Sequence, residues 1–465
     1  MDGALKLIVE KPEAYPRIKG SYSDRSVVIK DLQQKRDTLA AELAGTESKH
    51  TFNPSWTKSC LLDLSEPING CAWLFKPAVQ GEQVYAVALA IQEWGSLEDS
   101  LQLMRIPMNG GKPVFLGRSK YSVSYPNGWD RRYFLRFRSS RTTNALASSF
   151  DYVRASCLGA GNYFAATGSG IYVFPTNGDP VFHLSTTNGI PSDEVHTLAF
   201  LDGKLYIGAG EFERGGYIAS YEPATGKVTV LASSRRSEHI SPFDDQPPFF
   251  TLGLVADSIR HRLIMAITTE TAPSHTNRPA ITPSMGIWTY LPATGEYKRL
   301  APLLMPAYDP SPMRSHTWFG LADVNTVAVK ELFMMALFDL RSDHLISAYD
   351  SWDARTNAAS RLWTSPVPGF PGNRNLADGP FFLRDGWFYS ARPFERMAMA
   401  DGRREQFPPL RTDYPFEPKE SLQLLDDGKH VLAADQISVW LLELKPEPAH
   451  ASVGNDNDSP AVPEQ

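Results

Sequence analysis

GGYIASYEPATGKVTVLA, Gly215–Ala232, is the stretch on which the fold turns. An apolar run, a tight Ala-Thr-Gly turn and a second apolar run form the pattern of a β-hairpin. MGIWTYLPATGEYKRLA, Met285–Ala301, repeats it with the same Pro-Ala-Thr-Gly at the turn. Looser copies are LQLMRIPMNGGKPVFLG (Leu101–Gly117), GIYVFPTNGDPVFHL (Gly170–Leu184) and WFYSARPFERMAMADGRREQF (Trp387–Phe407). Hairpins recurring along one chain indicate a repeat architecture built of β-sheets.

Outward from these hairpins the chain parses into strand quartets, A to D from the inside of a ring outward. Six quartets span 68–116, 152–184, 195–231, 250–300, 318–363 and 381–407. The fifth reads as Trp318–Ala322, Leu332–Leu337, Leu345–Tyr349 and Ser360–Trp363. The last repeat, Leu422–Leu425, Val431–Ala434 and Ser438–Leu442, runs out after three strands, and Lys58–Leu64 (KSCLLDL) is left without a partner. An all-β, seven-bladed propeller closed by that N-terminal strand accounts for both leftovers and removes the open edge. Six and eight are the alternative blade counts.

The expected organisation is an N-terminal arm over 1–50, a propeller over 51–445 and a disordered tail over 446–465, rich in Pro, Asp and Asn. Within the arm, Asp31–Ala44 (DLQQKRDTLAAELA) predicts a short helix with Leu32, Leu39 and Leu43 on one face and Gly45 as its stop.

With 465 residues and 42% hydrophobic side chains the chain can bury a large core. A net charge of −6 gives no electrostatic case for nucleic acid; the local run Arg131–Arg141 is offset by the acidic remainder. Three cysteines without paired spacing, Cys60, Cys71 and Cys157, point to a reducing compartment or to small buried side chains. No apolar stretch is long enough for a membrane span and no signal peptide is read, so the expectation is a soluble, cytoplasmic protein with no membrane partner.

Strands alternate in direction, so A–B and C–D turns share one face and B–C and D–A connections the other. The first set is short: Asp202-Gly203, Asp385-Gly386, Asp427-Gly428, Ala224-Thr225-Gly226 and Ala293-Thr294-Gly295. The long stretches 118–150, 232–249, 268–285, 301–317 and 365–380 all fall in the second set. Long irregular connections in a compact domain are commonly functional. This predicts a binding surface for a protein or a small ligand on the long-connection face.

STTNGIPSDEVHTLAFLDGKLYIGAGE, Ser185–Glu211, resembles the two-component-regulator propeller repeat. The matching residues are Gly189-Ile190-Pro191-Ser192, Val195, Asp202-Gly203 and Leu205-Tyr206-Ile207-Gly208-Ala209. The resemblance implies a propeller of the kind that, in that family, serves as an extracytoplasmic sensor module joined to a membrane span and a kinase. Neither of those is read in this sequence.

On the long stretches the candidate binding residues are Trp129, Arg131, Arg132, His239, Asp244, Asp245, His275, Arg278, Arg314, Asn373 and Arg374. Trp129 within YPNGWDRRY, flanked by Arg131 and Arg132, suits a peptide or an acidic partner, and carbohydrate stacking on Trp129 is a further reading. His196 and His316, near the starts of A strands, are the weak catalytic candidates of an alternative, a channel-centred hydrolase or lyase assisted by a divalent metal. No metal-ligand spacing, nucleophile elbow or phosphate loop is present, so no cofactor and no enzymatic activity are predicted.

Overall fold

The computed structural model describes residues 56–90, 99–121, 153–211, 215–235, 238–240, 249–269, 284–304, 318–330, 334–350, 380–391, 394–398, 404–407, 410 and 418–444. They form seven antiparallel sheets, the blades of a β-propeller. The first strand, β1 (Trp56–Asp63), belongs to the last blade. Blade 1 is β2 (Cys71–Gln80), β3 (Gln83–Ala90), β4 (Asp99–Pro107) and β5 (Val114–Tyr121). Blade 2 is β6 (Ala155–Gly159), β7 (Asn162–Thr167), β8 (Gly170–Pro175) and β9 (Phe182–Leu184). Blade 3 has five strands: β10 (Val195–Leu201), β11 (Lys204–Glu211), β12 (Gly215–Glu222), β13 (Lys227–Arg235) and β14 (Glu238–Ile240). Blade 4 is β15 (Phe249–Asp257), β16 (Arg262–Thr269), β17 (Ser284–Leu291) and β18 (Glu296–Leu304). Blade 5 is β19 (Trp318–Asp323), β20 (Thr326–Lys330), β21 (Met334–Asp339) and β22 (His344–Asp350). Blade 6 is β23 (Phe381–Arg384), β24 (Trp387–Ala391), β25 (Phe394–Ala398) and β26 (Arg404–Gln406). Blade 7 is β27 (Ser421–Leu424), β28 (His430–Ala434), β29 (Ser438–Leu444) and, outermost, β1.

The innermost strands pack on one another in the cyclic order β27, β2, β6, β10, β15, β19, β23 and back to β27. Closure is the predicted one: β1 runs antiparallel to β29, from Trp56 opposite Leu444 to Asp63 opposite Ser438. A bulge at Leu61 interrupts the register between Cys60 and Leu62. In a regular strand one of two consecutive leucines would face water; here Leu61 and Leu62 are both buried in the core between blades 7 and 1.

The middle strands show why the sequence reads as apolar runs rather than strict alternation. Along β3, Val84, Ala86, Ala88 and Ala90 enter the core shared with blade 7, while Tyr85, Val87 and Leu89 enter the core shared with blade 2. Each blade has two buried faces, so both sets of alternate residues must be apolar. Equivalent clusters join blades 2 and 3, 3 and 4, 4 and 5, and 6 and 7 among the described residues.

Two expectations are corrected. In blade 5 the second strand is Thr326–Lys330, not Leu332–Leu337; the third and fourth strands are Met334–Asp339 and His344–Asp350. Ser360–Trp363 lies outside the described residues. The missed turn, Val324-Asn325, has no glycine; it is closed by the Asn325 N–H donating to Asp323 Oδ1 at 2.7 Å. In blade 3 the stretch expected to be a loop from 232 begins as strand, with β13 continuing to Arg235 and β14 pairing back on it. The helix expected over 31–44 and the tail over 446–465 lie outside the described residues.

Candidate functional site: the long-connection face

Strand order fixes which end of the ring each connection leaves. The B–C and D–A connections 91–98, 122–154, 270–283, 305–317, 351–380 and 407–420 all depart from one face. Residues 241–248 return from β14 to the start of β15 at that face. The opposite face carries short turns of two to six residues. Trp129, Arg131, Arg132, Asp244, Asp245, His275, Arg278, Arg314, His316, Asn373 and Arg374 belong to these connections and lie outside the described residues. Of the sequence candidates, His196 and His239 are described. His239 is in the edge strand β14, opposite Ser234, and not in a loop. His196, half-buried, is the extra residue of a bulge near the start of the innermost strand β10, between the pairs Val195–Ala209 and Thr197–Gly208.

That bulge places Thr197 so that its Oγ1 accepts the Leu254 N–H at 2.9 Å, a hydrogen bond from blade 4 to blade 3. A Cβ on Gly208 would meet the Thr197 and Thr251 methyls at 2.6 and 2.7 Å, so only glycine lets the two inner strands approach this closely.

One D–A connection is fully described. In Ser185–Glu194 a 3-10 turn, Thr186–Asn188, ends on Gly189 at φ 96°. The Thr186 N–H donates to Asp193 Oδ1 at 2.7 Å and the Ser185 N–H to Asn188 Oδ1 at 3.0 Å. Ile190 is buried in the core between blades 2 and 3, and the buried Tyr217 hydroxyl donates to the Ser192 carbonyl at 2.7 Å. The Gly-Ile-Pro-Ser phrase is therefore a left-handed stop, a core anchor and a carbonyl held by the next blade.

Further knots between blades were not legible from sequence. Ser234 Oγ, buried, accepts the N–H groups of Gly216 and Phe249, both at 3.0 Å, and so ties blade 3 to blade 4. Lys76, in the left-handed region at φ 42° ahead of Pro77, is held from both sides. Its N–H donates to Glu420 Oε2 at 3.2 Å, while its carbonyl accepts from Tyr163 Oη at 2.7 Å and Ser156 Oγ at 2.9 Å. One residue thus joins blades 7, 1 and 2. The Lys76-Pro77 pair inside an apolar strand was the signal available for it, since the residue before a proline is restricted.

Among the described residues no group of three His, Cys, Asp or Glu gathers as a metal site. The three cysteines are free. Burial pushes the Cys71 thiol up to about 11 against a smaller lowering by Arg118, and burial also pushes the Cys157 thiol up. Both are protonated near neutral pH and are poor nucleophiles or metal ligands. No helix among the described residues is long and apolar enough to cross a membrane.

No protein-family model matches the chain, and no curated protein is similar to it in sequence. Solved structures that resemble it include YCF48 bound to a D1 peptide, 9% identical, covering 85% of this chain and 97% of that one with a TM-score of 0.43. Sqt1 of Saccharomyces cerevisiae is 10% identical over 85% of this chain and all of its own, with a TM-score of 0.37. The extracellular domain of the putative one-component system BT4673 from B. thetaiotaomicron is 10% identical over 82% of this chain and 52% of its own, with a TM-score of 0.34. At these identities the likeness is one of fold, and the fold in hand is a seven-bladed β-propeller sealed by its N-terminal strand.

Proposed function

We propose that this chain is a binding module whose long-connection face recognises a peptide segment of acidic character on a protein partner. The observation that carries the reading is topological: the long connections leave one face of the ring, while the other carries mostly short hairpins. Neighbouring blades are cross-tied by Thr197 and Ser234 near that face and by Lys76 in the middle of β2, which supports a rigid platform for the connections. Trp129 with Arg131 and Arg132 supplies an aromatic anchor and two cations on the longest stretch after blade 1.

The test is a melting screen of the whole chain against acidic peptides, neutral peptides, divalent metals and glycans, because a binder of the native state raises the melting temperature. The reading expects shifts with acidic peptides that vanish in the triple variant Trp129→Ala, Arg131→Ala, Arg132→Ala. A shift with a divalent metal that is lost in His196→Ala or His316→Ala would replace it with the metal-assisted hydrolase or lyase. A glycan shift lost in Trp129→Ala alone would replace it with sugar recognition.

A further inference from the structure

One cation on the long-connection face has no counter-charge. Arg154 stands directly ahead of β6, the innermost strand of blade 2, and its N–H donates to the Ala166 carbonyl at 2.9 Å. It therefore sits at the end of the ring from which the long connections leave. The side chain is half-buried, and its Nη1 is closed off from solvent with no hydrogen-bond partner. Among the described residues its guanidinium has neither a hydrogen bond nor an ion pair. Two more deeply buried arginines are held by carboxylates, Arg262 by Asp257 at 2.9 Å and Arg396 by Glu405 at 2.7 Å. Arg384 also has a buried Nη1 without a partner, but its Nε donates to Asp385 at 3.1 Å. Arginine cannot lose its charge by giving up a proton, so a partly buried guanidinium gains from an anion brought to it.

The space beside that guanidinium is open. Gly168, exposed, forms with Ser169 the B–C turn between β7 and β8 on the same face. A Cβ on Gly168 would have Arg154 Nη2 at 3.5 Å and Cζ at 4.0 Å; its chain neighbours apart, nothing else among the described residues lies within 4 Å. The Gly168 backbone is outside the left-handed region, so neither conformation nor crowding demands glycine there. What the missing side chain leaves is access to the cation. The turn itself is fixed. Thr167 Oγ1 accepts the Ser169 N–H at 3.1 Å and donates to the Gly170 carbonyl at 3.0 Å, and His183 Nε2 lies 2.8 Å from the Ser169 carbonyl. A guanidinium fork with an open approach over a fixed turn matches the planar geometry of a carboxylate.

We propose that Arg154 and the Gly168-Ser169 turn form a carboxylate subsite of the long-connection face, occupied by an aspartate or glutamate side chain of the bound segment. This rests on the reading of that face as a site for acidic peptides and adds the residue that pairs with the acid. Because Nη1 is out of water, a charge-assisted bond to this guanidinium is stronger than one to a fully solvated cation. An amide at the same place would leave the charge uncompensated, so the subsite selects acid over amide.

Two measurements separate this subsite from the wider reading. Inside the chain, Gly168→Asp brings a carboxylate against the guanidinium, and Gly168→Asn brings the same shape without the charge. The Asp variant should melt about 1–3 °C above the Asn variant, and the difference should vanish in an Arg154→Gln background. Equal melting, or a difference that survives Arg154→Gln, overturns the subsite. The second measurement titrates hexaglutamate, acetylated and amidated to leave only side-chain carboxylates, into the full chain. It should bind Arg154→Gln and Gly168→Asp about tenfold more weakly than the wild type. Equal binding by all three overturns the subsite and leaves the acidic-peptide reading standing. Hexaglutamate that fails to bind the wild type overturns that reading, and the occupant proposed here with it. Inorganic phosphate that displaces hexaglutamate where acetate at equal ionic strength does not would reassign the cation to phosphate and overturn the carboxylate assignment.

Discussion

The two faces of this ring solve different problems with the same strands. On the short-turn face the hairpins repeat. Gly226 and Gly295, at φ 70° and 72°, each close their turn by donating to a carbonyl four residues back, both at 2.8 Å, from Gly226 to Glu222 and from Gly295 to Leu291. Beside them a buried ionic network locks blade 4 to blade 5. Asp257 accepts from Arg262 Nε at 2.9 Å and from Arg260 Nη1 at 3.2 Å; Arg262 also reaches the Leu340 carbonyl at 2.6 Å and Asp343 at 2.8 Å. Toward the long-connection face the ties differ from blade to blade: the Ser234 hydroxyl between blades 3 and 4, and the bulge-placed Thr197 beside it. Regularity marks the side that holds the ring closed. Individually tied strand ends mark the side from which the long connections extend.

Substitutions can break this contrast in graded steps. The largest effect is expected from Asp257→Ala, whose side chain is 1% exposed. It leaves Arg260 and Arg262 without their shared carboxylate, and urea unfolding should show a loss of about 3–5 kcal/mol. Tyr217→Phe removes the hydroxyl that donates to the Ser192 carbonyl on the other face, and should cost about 1 kcal/mol. Its signature is local: hydrogen exchange over 185–194 should rise while the short-turn hairpins stay protected. A global rise would mean that the two faces are not separable.

Ala160→Asn sharpens the comparison in the stabilising direction. Ala160-Gly161 takes the same doubly left-handed turn as Asp202-Gly203 and Asp385-Gly386, with Ala160 at φ 48°. Asparagine tolerates that region better than alanine, so the melting curve should gain about 0.5–1 kcal/mol.

The smallest effect concerns pH. Partial burial works to raise the Asp427 carboxyl, but hydrogen bonds from the His430 ring and from the His430 and Lys429 N–H groups outweigh it and hold the group at about 2. A carboxyl depressed in the folded state stabilises above its unfolded value of 3.8, and that contribution is lost as pH falls through about 2. Carbon-detected titration should find Asp427 near 2 in the wild type and back toward 3.8 in His430→Ala. The side chain is nearly half exposed, so the associated stability is small and screened.

Most of the ring was legible because its punctuation is chemical. Asp-Gly and Ala-Thr-Gly turns set the hairpins of blades 3, 4 and 6, and a stray strand at one end with a three-stranded repeat at the other called for closure. Blade 5 was misread where its turn is made by Val324 and Asn325 and held by the Asp323 side chain. The three-residue strand β14 was missed because it exists through pairing with β13, which no local periodicity encodes. The site was legible as a face more than as residues. His196 was expected near the start of an A strand and is found near the start of the innermost strand β10, yet its place as the extra residue of a bulge follows from the partner strand β11. Ser234 and Tyr217 act across blade boundaries, and a sequence shows no sign of such long-range bonds.

The division of labour between the faces is tested most directly by replacing 122–152, 270–283 and 351–379 together with short Gly-containing turns, then comparing melting and peptide capture with the wild type. The account predicts a variant that melts close to the wild type and no longer retains the peptides that the wild type enriches from a displayed library. A variant that fails to fold, or one that still captures the same peptides, would contradict it.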